Sequence, residues 1–161
     1  IAAFPATGIP IRLSSADGAV RHLGDVKRSG AQMAEEVIEI HLNDRIRAVI
    51  PWAYSAQSNG AGSFHRYQVS MEVDNGAGEA VHIASVDASR DENVYTCIPG
   101  MIVNAEGGVR VHALELYSRR GSENRPQAEP AGRKGVFGRR AESCADGIDI
   151  LMDRGPRNVF K

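Results

Sequence analysis

The stretch Val109-Arg-Val-His-Ala-Leu-Glu-Leu-Tyr117 has the clearest alternation of apolar and polar residues in the chain. Val109, Val111 and Ala113 occupy every second position. Leu114 and Leu116 continue the alternation, shifted by one residue. A period of two residues is typical of a strand with one face buried, because successive side chains in a strand point to opposite sides. This stretch therefore predicts a β-strand.

Other short segments rich in Val, Ile, Tyr and Phe precede and follow this strand, and most of the 17 glycines fall between them. The remaining predicted strands cover residues 9–13, 36–42, 46–54, 64–73, 79–86, 93–98, 101–103 and 147–152. Asn75-Gly76 predicts a tight hairpin, since that pair tolerates the positive φ angles of such turns. We expect Val69, Met71 and Val73 to face one core together with Val109 and Val111, with Trp52 packed against it.

The composition changes between Ser118 and Glu142, where seven Lys or Arg residues accompany three Glu, four Gly and very few apolar residues. Such a composition is typical of a flexible linker. We therefore predict an all-β, C2-like antiparallel β-sandwich with a disordered basic insertion before the last strand. In this division residues 1–117 form the sandwich domain, 118–142 the flexible basic linker, and 143–161 a terminal strand and tail that return to the sandwich.

Length and charge exclude several classes of protein. The 161 residues correspond to about one domain, and a net charge of −1 argues against a globally basic nucleic-acid binder. No apolar run approaches the roughly 18 residues that a membrane-spanning helix needs. Cys97 and Cys144 form no metal-ligand motif, and we expect both to be reduced thiols. Because the first residue is Ile1, either the amino end has been removed or the chain is a piece of a longer one.

Motifs of catalysis give no positive sign of an enzyme, since the chain contains no GxSxG, HExxH or Walker sequence. The candidate binding site is instead an acidic one. Asp25, Glu35 and Glu36 flank a glycine- and serine-containing loop, and calcium takes several oxygen ligands from such loops. The alternative is that these acids are solvated and balanced by Lys27 and Arg28.

Aromatic residues bracket the small-residue loop 55–63 and offer a second candidate site: Trp52, Tyr54, Phe64 and Tyr67. They could form a platform for a carbohydrate or a peptide, or they could belong to the core. The histidines at 41, 82 and 112 lie in predicted strands, where we expect them to be outward-facing polar residues.

The order of several motifs resembles the tellurium-resistance (TerD/TerA stress-protein) family. They are Asp17-Gly-Ala-Val-Arg-His-Leu-Gly-Asp25, Glu35-Glu-Val-Ile-Glu-Ile40 and the segment 46–54, and the ending 153–161 is similar to the family's final motif. Gly24-Asp25 matches the family's GD pair, and Glu35-Glu36 stand where its final acidic pair belongs. The family's amino-terminal half-sandwich, with its acidic strand, has no counterpart among these residues.

The resemblance implies a non-enzymatic calcium-type binding or scaffold module of a bacterial tellurite- and stress-resistance system. It implies Asp25, Glu35 and Glu36 as metal ligands, other proteins of the resistance complex as partners, and no nucleic acid. It also implies a cytoplasmic location, with the inner face of the membrane as an expected place of association. Val26 and Ala34 stand where the family has oxygen-bearing side chains, so we expect calcium binding to be weak.

Overall fold

The computed structural model describes residues 13–15, 17–24, 35–55, 64–84, 89–131 and 143–158. Strands hold 47% of these residues and helix about 4%, and every strand pairing is antiparallel. The predicted all-β class is therefore confirmed. No helix among the described residues is long and apolar enough to cross a membrane. The chain divides into two compact units, with a boundary between Arg47 and Ala48 that the sequence analysis did not anticipate.

The first unit contains a three-stranded sheet. Its strands are β1 (Leu13–Ser14), β2 (Val20–His22) and β3 (Ile38–Ile40), in the order β1-β2-β3. Gly18 at the tip of the β1–β2 turn has φ of +72°, a conformation that glycine adopts without a steric penalty. The predicted strand 36–42 is thus present as the shorter β3. Residues 25–34, which link β2 to β3, lie outside the described residues.

The second unit is organised around β8 (Thr96–Ala105), whose residues from Thr96 to Val103 are all buried. Three strands pair with it: β4 (Ala48–Val49), β5 (Ala53–Tyr54) and β9 (Gly108–Tyr117). The predicted strand 46–54 is split into β4 and β5 around Pro51, which has no N–H to donate to a ladder. Both pieces pair with β8.

One face of β8 packs on a second sheet formed by the carboxyl-terminal part of the chain. That sheet consists of β10 (Gln127–Pro130), β12 (Ile148–Leu151) and β11 (Ser143–Ala145), in this order. The main core cluster joins the two layers, and its buried members are Ile98, Met101, Val103, Ile148, Ile150 and Met152. Residues of β12 thus share a core with residues of β8 within this unit.

The opposite face of β8 is covered by the hairpin of β6 (Ser70–Asp74) and β7 (Ala80–Ala84) and by the short helix α1 (Phe64–Tyr67). Gly100 allows this close approach, because a Cβ built there would lie 2.7 Å from Ile83 Cδ1 and from Met71 Cε. The expected single core is only partly found. Val109 and Trp52 are 54% and 36% exposed, since β9 is an edge strand and Trp52 lies between two short strands.

The linker prediction is wrong over residues 118–131. Strand β10 pairs with β12 along its whole length, and Ser118 and Glu123 are 4% and 8% exposed. Backbone hydrogen bonds also join residues 123–125 to residues 155–158. Many partners of this segment lie 16 or more residues away in the chain, which local composition does not reveal. Residues 132–142 of the predicted linker lie outside the described residues.

Candidate functional site

The acidic candidate site lies at the connection between β2 and β3. His22 is paired with Ile38, and the backbone N–H of Leu23 donates to the carbonyl of Val37 at 3.0 Å. Leu23 and Val37, the neighbours of Gly24 and Glu36 in the chain, are therefore held together.

The three predicted metal ligands have different outcomes. Glu35 and Glu36 are exposed, and Asp25 lies outside the described residues. Nε2 of His22 lies 3.2 Å from Oε2 of Glu36, a contact between β2 and the segment just before β3 that the sequence analysis did not anticipate. Among the described residues no group of three or more His, Cys, Asp or Glu side chains is placed to hold a metal ion.

The remaining charges of this sheet are paired. Arg21 and Glu39 face each other across β2 and β3 and form an ion pair. Asp17 accepts hydrogen bonds from Ser15 and from the Ala19 backbone, and these lower the pKa of its carboxyl to about 2. Arg45 also donates to Asp17, at 3.0 Å. These carboxylates stabilise the turn and the sheet, whereas Glu35 and Glu36 are the exposed acids at the loop.

The aromatic candidates do not form one platform. Phe64 is 3% exposed and packs with Val94 and Cys97, so its ring belongs to the core. The Tyr54 side chain is half-buried, and its hydroxyl donates to Oε1 of Glu123 at 3.1 Å. Trp52 and Tyr67 remain exposed, at 36% and 38%.

Two buried carboxylates in the second unit were missed by the sequence analysis. The side chain of Glu123 is 7% exposed and is bound by Arg157 and Tyr54. The side chain of Asp153 is 6% exposed and accepts from the Arg119 backbone and side chain at 3.1 and 3.2 Å. In both ion pairs the partners are 34 residues apart, so no local spacing could have indicated them.

Burial and neighbouring charges shift the pKa values of three side chains in the second unit. Burial and the Glu123 carboxylate raise the pKa of Tyr54 to about 12. Glu123 also raises the pKa of Arg157. Burial raises the pKa of the Cys97 thiol to about 12, so this cysteine stays protonated near neutral pH. Such a thiol is a poor nucleophile.

The histidines of the strands behave in two ways. His41 and His82 are exposed, as expected for outward-facing polar residues. His112 is half-buried and contacts Asp146 in the β11–β12 turn, where Arg110 also binds the same carboxylate at 2.8 Å. Asp146 thus links the edge strand β9 to the neighbouring sheet.

Comparison with known proteins adds no relative, since no family model, no curated protein and no solved structure matches this chain.

Proposed function

We propose that this protein is a non-enzymatic binding or scaffold module of a bacterial tellurite- and stress-resistance system, with a weak calcium site at the 24–37 loop. The observation that carries the proposal is the contact between the two chain segments that flank the motifs: Leu23, one residue before Gly24, donates to Val37, one residue after Glu36. Nine residues, 26–34, separate the two motifs that resemble the family, and these nine lie outside the described residues together with Asp25. Exposed carboxylates at the base of a loop suit a hard cation such as calcium.

The non-enzymatic part of the proposal is supported by the state of the candidate reactive groups. The Cys97 thiol has a raised pKa and is completely buried, so it is neither ionised nor accessible. The buried carboxylates of Glu123 and Asp153 form ion pairs with arginines, an arrangement typical of structural rather than catalytic carboxylates. The aromatic alternative is not favoured, because Phe64 belongs to the core.

The partners and location follow from the resemblance alone. We propose other proteins of the resistance complex as partners, without nucleic acid, and action in the cytoplasm at the inner face of the membrane.

Calcium titration tests the site. With three carboxylates at most, we expect a Kd on the order of 10⁻⁴ M or weaker. The melting temperature should rise only at millimolar calcium, because ligand stabilisation grows as RT ln(1 + [L]/Kd). Asp25→Asn and Glu36→Gln should each remove this increment. Glu39→Gln is the matched control, because Glu39 lies on the same sheet but is paired with Arg21.

A calcium titration that leaves the melting temperature and the amide spectrum of residues 24–37 unchanged up to about 10 mM would overturn the calcium site. In that case Glu35 and Glu36 are solvated surface acids. An increment that Glu39→Gln removes as well would show nonspecific binding to surface charge.

A further inference from the structure

Strand β9 leaves one edge of its sheet open. It pairs with β8 along one side, and in the described part of the chain no strand pairs with its other side. An open edge presents unpaired backbone N–H and C=O groups, which are a template for another strand.

The register shows which residues carry these open groups. A two-residue turn joins β8 to β9, so Ala105 and Gly108 form the first hydrogen-bonded pair. By alternation, Arg110 and His112 direct their backbone groups to β8. Those of the intervening residues point away from the sheet: Val109, Val111 and Ala113.

Both ends of this open edge are defined. The turn at Glu106 and Gly107 limits it on one side. On the other side Glu115 has φ of +51°, a left-handed conformation that interrupts the flat strand beside the register shift. The open edge is therefore residues 108–113, and the exposed side chains Val109 and Ala113 lie on the same face as Val111.

The composition of this edge fits a second copy of the same strand. When two antiparallel strands are related by a twofold axis perpendicular to the sheet, residues whose backbone N–H and C=O groups point away from β8 must pair with one another. Only a register centred on Val111 engages all three, pairing Val109 with Ala113 of the second copy and Val111 with itself. This register forms about six hydrogen bonds between the two copies.

Charge on the opposite face of β9 is balanced in the same register. Arg110 of one copy lies opposite His112 of the other, and Asp146 contacts both residues within each copy. The pairing brings an equal number of arginines and carboxylates together. No lysine, the residue that most often guards an open edge, occurs between 108 and 113.

We propose that the protein dimerises through β9, by antiparallel pairing of residues 108–113 with the same residues of a second copy. This inference does not depend on the calcium site or on the family resemblance. One strand pair buries less than the roughly 1,200 Å² of a standard interface, so we expect a weak dimer with Kd on the order of 10⁻⁴ M.

Sedimentation velocity over a concentration series measures the dimer, and amide hydrogen exchange locates it. We expect the amides of Val109, Val111 and Ala113 to exchange slowly only at concentrations where the dimer forms. The amides of Arg110 and His112, which bond β8, should be protected at every concentration.

Val111→Pro is the decisive variant. It removes an outward N–H without removing a bond to β8, and proline is tolerated on edge strands with this orientation. We expect dimerisation to weaken by about tenfold or more while the melting temperature of the monomer changes little. His112→Pro, which removes an inward N–H, should instead lower the melting temperature.

A second pair of variants decides the question if Val111→Pro does not fold. Val109→Lys adds a guard charge to the edge, and Val81→Lys is its control, because Val81 is a comparably exposed valine on β7. We expect only Val109→Lys to weaken the dimer. A wild-type chain that stays monomeric at about 1 mM, or a dimer that Val109→Lys leaves unchanged, overturns the proposal.

Discussion

Asp17 illustrates how single side chains stabilise this protein. Its carboxylate lies at the β1–β2 turn and accepts from the Ala19 backbone at 3.1 Å, which closes the turn around a glycine with positive φ. Asn43 and Arg45 reach the same carboxylate from beyond β3. One residue therefore connects the local turn to a distant segment of the same unit.

This arrangement predicts a pH-dependent stability for Asp17. The pKa falls from 3.8 to about 2 in the folded chain, chiefly through the Ser15 hydrogen bond, so the ionised form favours folding. The contribution is complete above about pH 4 and disappears as the pH falls through 2. Asp17→Asn should lower the melting temperature at pH 6, and the difference from the wild type should vanish near pH 2. A constant difference across this range would contradict the prediction.

Tyr54 predicts the opposite dependence at high pH. Burial and Glu123 raise its pKa from 10.0 to about 12, so the folded chain retains a proton that the unfolded chain has lost. Its contribution to stability is therefore present below pH 10 and is lost as the pH rises through 12. Ultraviolet titration of the phenolate, assigned with Tyr54→Phe, should show this late ionisation. Glu123→Gln should shift it toward 10, because the carboxylate charge is gone; an unshifted titration would exclude Glu123 as a cause.

At the scale of elements, β8 is the centre of the second unit, because other elements pack on both of its faces. Gly100 lies where the β6–β7 hairpin and the β9 backbone approach most closely. Its Cβ, if present, would be 2.7 Å from the carbonyl oxygen of His112 as well as from the two side chains of the hairpin. Glycine is therefore required here for space.

Gly100→Ala should destabilise the fold by about 1–3 kcal/mol, the usual effect of overpacking. Denaturant unfolding measures this difference. Ile83→Val removes Cδ1, one of the three atoms that would lie 2.7 Å from the new methyl group, and should rescue part of the loss in the double variant. If the two substitutions are additive, the contact with Ile83 is not the cause of the strain.

At the scale of the whole molecule, the chain forms two units, and the larger one depends on the contact between two sheets. Ile150 is 1% exposed and lies in the core cluster with Ile98 and Met101. Strands from residues 96 to 117 and from residues 127 to 151 meet there, so this core joins segments that are distant in the chain.

Ile150→Ala should lower the free energy of unfolding of this unit by about 2–5 kcal/mol, because it leaves a cavity between the layers. Val109→Ala shortens an aliphatic side chain of a residue that is 54% exposed. It should change the free energy of unfolding by less than about 1 kcal/mol. Equal effects of the two substitutions would show that the cluster is not the core that holds the sheets together.

The sequence alone predicted the all-β class and most of the strands, because alternation and turn chemistry are local properties. The hairpin around Asn75-Gly76 and the strand from 109 to 117 were both found where the residues indicated them. The acidic site stays a prediction. Glu35 and Glu36 are exposed, Asp25 lies outside the described residues, and the contact of Glu36 with His22 depends on the pairing of distant segments.

Only the tertiary structure decided that the polar segment 118–131 is ordered. Residues 118–131 contain too little apolar surface to indicate order, yet Glu123 is buried because Arg157 and Tyr54 neutralise it and satisfy its oxygens. A charged group can be buried only when partners are supplied, and here they come from 34 residues later and 69 residues earlier in the chain. Local sequence determined most of the extended segments, although residues 64–67, predicted as part of a strand, form helix α1. Long-range pairing determined which of the extended segments are buried and which are left as an open edge.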